Sequence, residues 1–222
     1  MSAQMKEIFS ERTGDRCYEV QHSSGLRILL YPKNENNSTY AVFGTRYGSV
    51  DTSFRIDGEE ICTVPEGIAH YLEHKLFESE DGDAFSRYAK TGASANAYTS
   101  FDSTCYLFSC SDHFYESLEI LLDFVQKPYF TKEDTERERD IIVSEITMYE
   151  DDPMWVGHYQ MLECMYGKHP IRNRIAGTAE TVAEITEETL QRAYACYYTT
   201  DEMALVCAGD IPLGEVRRMA ER

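Results

Sequence analysis

One stretch constrains this chain more than any other: Pro65-Glu66-Gly67-Ile68-Ala69-His70-Tyr71-Leu72-Glu73-His74-Lys75-Leu76-Phe77. Ile68, Tyr71, Leu72, Leu76 and Phe77 recur at helical spacing, so the segment reads as a helix with a buried face. Thr63 and Glu66 fit a capping box, and Pro65 suits a first turn. Gly67, a weak helix former, points to close packing against a neighbour. Each helical residue advances about 100°, which sets His70 and His74 about 40° apart and Glu73 about 60° to the other side of His70. Two imidazoles one turn apart can grip one tetrahedral zinc ion, and a carboxylate beside them can take the proton of an activated water. Alone, the pentad is also readable as two helix-surface histidines beside a solvated glutamate, so the rest of the chain has to supply a third ligand.

The place to look is residues 131–150, a long helix that Thr131 can cap. Its apolar Ile141, Ile142, Met148 and Tyr149 are expected on one stripe. Glu145 falls within that stripe, and Glu138 shares its direction. A carboxylate on a core-facing stripe is expensive unless it is paired or binds a metal. Glu133, Glu136 and Glu150 read instead as solvated charges.

His70-Tyr71-Leu72-Glu73-His74, with Glu138-Arg139-Asp140-Ile141-Ile142-Val143-Ser144-Glu145 ending 71 residues after His74, resembles the pitrilysin/insulinase family of zinc metallopeptidases. Those enzymes are inverzincins with an H-x-x-E-H signature and a distal glutamate on an E-R-x-x-I-x-x-E helix. The likeness is greatest to a processing-peptidase-like bacterial branch and covers nearly the whole chain. It implies one zinc ion on His70, His74 and Glu145, Glu73 as catalytic base, and Glu138 supporting the site from behind the ligands. It also implies that Asn96, Ala97 and Tyr98, in a G-x-x-x-N-A-[FY]-T-like strand, contact a peptide substrate lying as an added strand.

Composition narrows the alternatives. The 222 residues are enough for a full core, and a net charge of −18 argues against nucleic-acid binding. Seven cysteines, odd in number and without a C-x-x-C, follow a polar opening that does not read as a signal peptide; they read as reduced thiols of a cytoplasmic protein. No apolar run approaches the roughly 20 residues of a membrane span.

Along the chain, strands are expected within 17–32, with a turn at 23–25, and over 40–47. A hairpin is expected over 93–109, and a final strand, buried on both faces, over 203–210. The small residues of the first strand, 93–100, read either as a tightly packed strand or as a backbone edge that an extended peptide can approach. Helices are expected over 83–90 with Gly92 as C-cap, 112–126, 154–166, 178–185 and 186–198, and from Leu213 onward. In the helix over 154–166, Trp155, Tyr159, Leu162 and Met165 or Tyr166 are expected to pack inward. His158 reads as a surface residue; His169 precedes Pro170 in a loop, and the resemblance implies a structural role for that loop.

Strands, helices, hairpin, helices and strand make an α+β layer: a largely antiparallel sheet with helices packed on one side. The resemblance makes residues 1–222 the N-terminal, zinc-binding half of a two-domain clamshell, whose homologous C-terminal half or partner subunit lies outside this chain. The function it implies is zinc-dependent endopeptidase. The alternatives are a non-catalytic peptide- or partner-binding subunit, and a half that is inert without its second half.

Overall fold

The computed structural model describes residues 4–33, 36–56, 58–80, 82–211 and 214. The strands are β1 (Gln4–Phe9), β2 (Arg16–Gln21), β3 (Arg27–Pro32), β4 (Thr39–Thr45), the short pairs β5 (Ser53–Phe54) with β6 (Cys62–Thr63) and β7 (Glu78–Ser79) with β8 (Gly82–Asp83), then β9 (Ser94–Thr99), β10 (Thr104–Cys110) and β11 (Met203–Gly209). The helices are α1 (Ile68–Leu76), α2 (Ala84–Thr91), α3 (Phe114–Gln126), α4 (Lys132–Glu150), α5 (Pro153–Met165), α6 (Ala179–Ala183) and α7 (Glu187–Tyr197). None of the described helices is long and apolar enough to cross a membrane. The helix expected from Leu213 falls almost wholly outside the described residues.

Seven strands form one sheet in the order β1-β2-β3-β11-β4-β10-β9. Every neighbouring pair is antiparallel except β3 with β11. The α+β expectation therefore holds, with one parallel pair where the chain returns to the centre of the sheet. β4, β10 and β11 each alternate buried and half-buried residues, as period-two strands covered on one face do. This corrects the expectation that the last strand is buried on both faces: Met203, Leu205 and Cys207 enter the core, while Ala204, Val206 and Ala208 lie half-buried on the open side. β1 was not foreseen. Its Met5, Ile8 and Phe9 are exposed, and what identifies it as a strand is its pairing with β2 along its whole length.

The covered face carries two apolar clusters, and α1 threads both. Leu76 and Phe77 join the sheet residues Leu30, Phe43, Tyr106 and Phe108 with Leu118, Leu121 and Phe124 of α3. Ile68, Ala69, Tyr71 and Leu72 join Ile142 and Ile146 of α4, Val182 of α6 and Leu190 and Ala193 of α7. Full burial of a leucine side chain contributes about 1.5–3 kcal/mol, so α1 is held by its own hydrophobic residues from both sides.

The start of α1 differs from the sequence reading. Thr63 lies in β6 and the helix begins only at Ile68, so neither the capping box nor a first-turn Pro65 forms. Gly67 is the N-cap, with φ 90° and no side-chain cap. A Cβ there would meet the Ala176 carbonyl oxygen at 2.5 Å, which makes the expected close packing specific.

Two further stripes shift. On α4 the buried residues are Thr135, Glu138, Ile142 and Ile146, whereas Ile141 and Met148 face solvent. The buried direction is turned from the predicted one because α4 beds on α1 and α6 through Ile142 and Ile146. On α5, Tyr159 and Leu162 are buried, but Met165 and Tyr166 are exposed. Asp152 caps α5 through Met154 N–H at 2.8 Å, with Pro153 in the first turn.

Candidate metal centre

α1 and α4 pack against each other in the second apolar cluster, and that packing brings residues distant in sequence together. His70 Nε2 lies 3.6 Å from Glu145 Oε1, and His74 Nε2 lies 3.4 Å from Glu145 Oε2. One ligand atom from each of His70, His74 and Glu145 falls within 4.8 Å of the others, and this is the one such group found among the described residues. Donors about 2.0–2.2 Å from a tetrahedral ion stand about 3.3 Å apart. The two measured separations are close to that, and the donor set, two imidazoles and a carboxylate, suits zinc.

The surroundings favour a cation at this point. Glu138, buried one helical face behind the ligands, sits 2.8 Å from His74 Nδ1. Burial alone depresses the His74 pKa, but Glu138 and Glu145 outweigh it and hold the imidazole at about 10. The facing imidazoles of His70 and His74 pull Glu145 well below the usual carboxylate range against the effect of burial. Glu138 is likewise lowered, burial opposing and His74 prevailing. With Nδ1–H facing Glu138, Nε2 is the nitrogen at which a cation would take the place of a proton, on the side of Glu145. His70 Nδ1 is buried without a hydrogen-bond partner among the described residues.

Glu73 is buried beside this group and accepts a hydrogen bond from Thr99 Oγ1 at 2.6 Å. Thr99 ends β9, so the glutamate is tied to the edge strand of the sheet. Asn96, Ala97, Tyr98 and Thr99 line the same cleft of about 390 Å³ as His70, Glu73, His74 and Glu145. Asn96 and Tyr98 are exposed, Ala97 is half-buried, and Asn96 Oδ1 accepts the Ala97 N–H at 2.9 Å. Every residue singled out from the sequence is thus at the cleft except Glu138, which stands behind His74. Two larger clefts, at Asp112–Glu116 and between α3 and α7, hold no comparable set among the described residues.

Several members of the site were not singled out. Thr99 is a strand residue among others until β9 meets α1. Tyr149 and Trp155 line the cleft; Tyr149 donates to Glu145 Oε1 at 2.5 Å, and burial, then that carboxylate, push its hydroxyl up to about 12, so it remains a donor. Ile175 and Ala176, in the loop after His169, close one side. His169 is structural, its Nδ1 accepting Ile171 N–H at 3.2 Å, and His158 rests against the Tyr159 ring. Lys75 is fully buried and bonds to Glu78, which also pairs with Arg137 at 3.1 Å. A buried ammonium beside a metal-type ligand has no periodicity signal.

A sequence profile of the Insulinase family (Peptidase family M16) matches residues 63–179, more than half of the chain and all of the site. The chain belongs to that family. It is 46% identical over 208 residues to the uncharacterized zinc protease YmfH of Bacillus subtilis (strain 168), an alignment covering 93% of this chain and 49% of that protein. It superposes with a TM-score of 0.88, at 40% identity, on the crystal structure of an M16-like peptidase from Alicyclobacillus acidocaldarius, covering all of this chain and 49% of the other. Pitrilysin shares the fold, with a TM-score of 0.80 at 21% identity over 98% of this chain and 24% of its own. The M16 chain described here therefore spans about half the length of the YmfH and Alicyclobacillus relatives.

Proposed function

We propose that this M16 chain is the N-terminal, zinc-binding half of a metalloendopeptidase. The observation that carries the reading is the convergence of His70 Nε2, His74 Nε2 and the Glu145 carboxylate on one point, with Glu73 beside it in the same cleft. His70, His74 and Glu145 would hold the ion and Glu138 would set the tautomer of His74. Bound zinc supplies Lewis acidity, which brings the pKa of a water from 15.7 to about 7. Glu73 takes the proton of the attacking water on its carboxylate and delivers it to the leaving amine. Thr99 holds the Glu73 carboxylate in place. The free edge of β9 orders the peptide as an added strand, with Asn96, Ala97 and Tyr98 against it.

The half-length of the chain relative to its relatives favours a further element of the proposal: a homologous second half or partner subunit completes the peptide-binding chamber. The test uses the purified chain, with and without the second half of its full-length protein, in metal analysis and peptide hydrolysis. About one zinc per chain is expected, with turnover once the second half is present. Glu73→Gln should keep the zinc and lose turnover by several orders of magnitude. Normal turnover in that variant would remove Glu73 from the mechanism. Absence of zinc in both forms would favour a peptide- or partner-binding subunit.

A further inference from the structure

Glu145 is the one converging group that α4 supplies, facing the two histidines of α1. It is reached by a flexible side chain, is about a fifth exposed, and lies near the C-terminal end of α4. A glutamate in that position gains conformational freedom by turning toward water, so something has to hold it over the imidazoles. Tyr149 stands one turn further along α4, on the same face. Helical side chains lean toward the N-terminus, so its ring reaches back over Glu145. Its hydroxyl donates to Oε1 at 2.5 Å. That oxygen is the one 3.6 Å from His70 Nε2, while Oε2 lies 3.4 Å from His74 Nε2.

Tyr149 is itself held by a ladder of rings. It stacks on Trp155 with centroids 4.8 Å apart and planes 22° from parallel. Trp155 meets Tyr159 edge-on, with centroids 5.3 Å apart and an angle of 61°. Tyr159 is buried and accepts the Ile175 N–H at 3.2 Å. The next residue, Ala176, presents the carbonyl on which Gly67 packs at the start of α1. One loop therefore braces both sides of the centre: α1 directly, and Glu145 through Tyr159, Trp155 and Tyr149.

We propose that Tyr149 is a positioning residue for the third ligand: its hydroxyl fixes the rotation of the Glu145 carboxylate and occupies Oε1, so that Oε2 is presented to the metal. The proposal rests on the metal reading given above. A hydrogen-bonded outer partner of this kind typically contributes 10–100-fold to metal affinity. The competing explanation is that Tyr149 serves only as a ring packed on Trp155.

Tyr149→Phe separates the two, because it keeps the stack and removes only the donor. The measurement is the zinc dissociation constant of the purified chain by competition with a chelator of known affinity, with the denaturation midpoint of the metal-free chain as the control. The expected result is a 10–100-fold weaker zinc complex and an unchanged midpoint. The visible spectrum of the cobalt-substituted chain should also shift, reporting a changed carboxylate at the metal. Trp155→Ala, which leaves the hydroxyl but removes its support, should weaken zinc binding as well. A wild-type chain that binds zinc, together with a Tyr149→Phe variant that binds it equally well with an unchanged cobalt spectrum, overturns this inference alone. A wild-type chain that takes up no zinc overturns the metal reading and this inference together.

Discussion

Gly67→Ala offers a direct test of how the start of α1 is held, because the structure provides its own control. Gly67 and Gly92 both adopt left-handed backbone, at φ 90° and 72°. A Cβ at Gly92 meets nothing within 4 Å, whereas at Gly67 it would meet the Ala176 carbonyl oxygen at 2.5 Å and its carbon at 2.9 Å. These are backbone atoms of a loop pinned by neighbours, so they cannot swing aside as a flexible side chain would. Forcing alanine into left-handed backbone costs about 1–2 kcal/mol, and that is the whole expectation for Gly92→Ala. At Gly67 an overpacking cost of about 1–3 kcal/mol is added, for about 2–5 kcal/mol in all. Urea denaturation of the two variants should separate them by that added contact. Because His70 lies on the first turn of α1, Gly67→Ala should also weaken zinc binding, and Gly92→Ala should not. Equal destabilisation by the two substitutions would refute the packing argument and leave only the backbone term.

Three further outcomes are expected. Glu138→Gln should weaken zinc binding about 10–100-fold, and Glu145→Gln should weaken it more; chelator competition giving the reverse order would assign the third ligand to Glu138. Glu78→Ala leaves the fully buried Lys75 ammonium without its bonded carboxylate and should cost about 3–5 kcal/mol. Lys75→Met should cost less, since Glu78 keeps Arg137, and equal urea midpoints would contradict this. Burial pushes the Cys207 thiol up to about 12. The unfolded chain therefore loses this proton at lower pH than the folded chain, and stability should fall as pH rises from about 9 toward 12, by at most about 1.4 kcal/mol per unit. Burial moves Tyr194 the same way, and denaturation midpoints that stay flat between pH 8 and 10.5 would show that these groups are not buried in solution.

Much of the site was legible because its chemistry is local. His70, Glu73 and His74 share one helix, and their spacing follows from an advance of about 100° per residue. Glu145 was legible in a weaker sense: a carboxylate among apolar residues on a helix is a question that the sequence raises and that the family resemblance answers. The stripe drawn through Ile141 and Met148 failed because periodicity defines an apolar arc and not which part of it meets a neighbour. α4 turned Ile142 and Ile146 inward and left Ile141 and Met148 in water. The capping box failed for a related reason. Thr63 and Glu66 have suitable side chains, but the chain at 62–63 is engaged in β6, and the turn at Gly67 is shaped by Ala176, 109 residues later in the sequence.

By itself, then, the sequence determined the alternation of strands and helices, the one-turn pairing of the histidines, the helix that carries Glu145 and the small-residue strand beside the cleft. These depend on neighbours within a few positions, where helical and strand periods act. Only the tertiary structure decided that Thr99 holds Glu73, that Tyr149 holds Glu145 and that Lys75 is buried against Glu78. It also decided that β1 adds an edge to the sheet. Those contacts arise where separate elements meet, and the energy that selects them, burial of apolar surface with buried charges paired, belongs to the packed whole and not to any single stretch of chain.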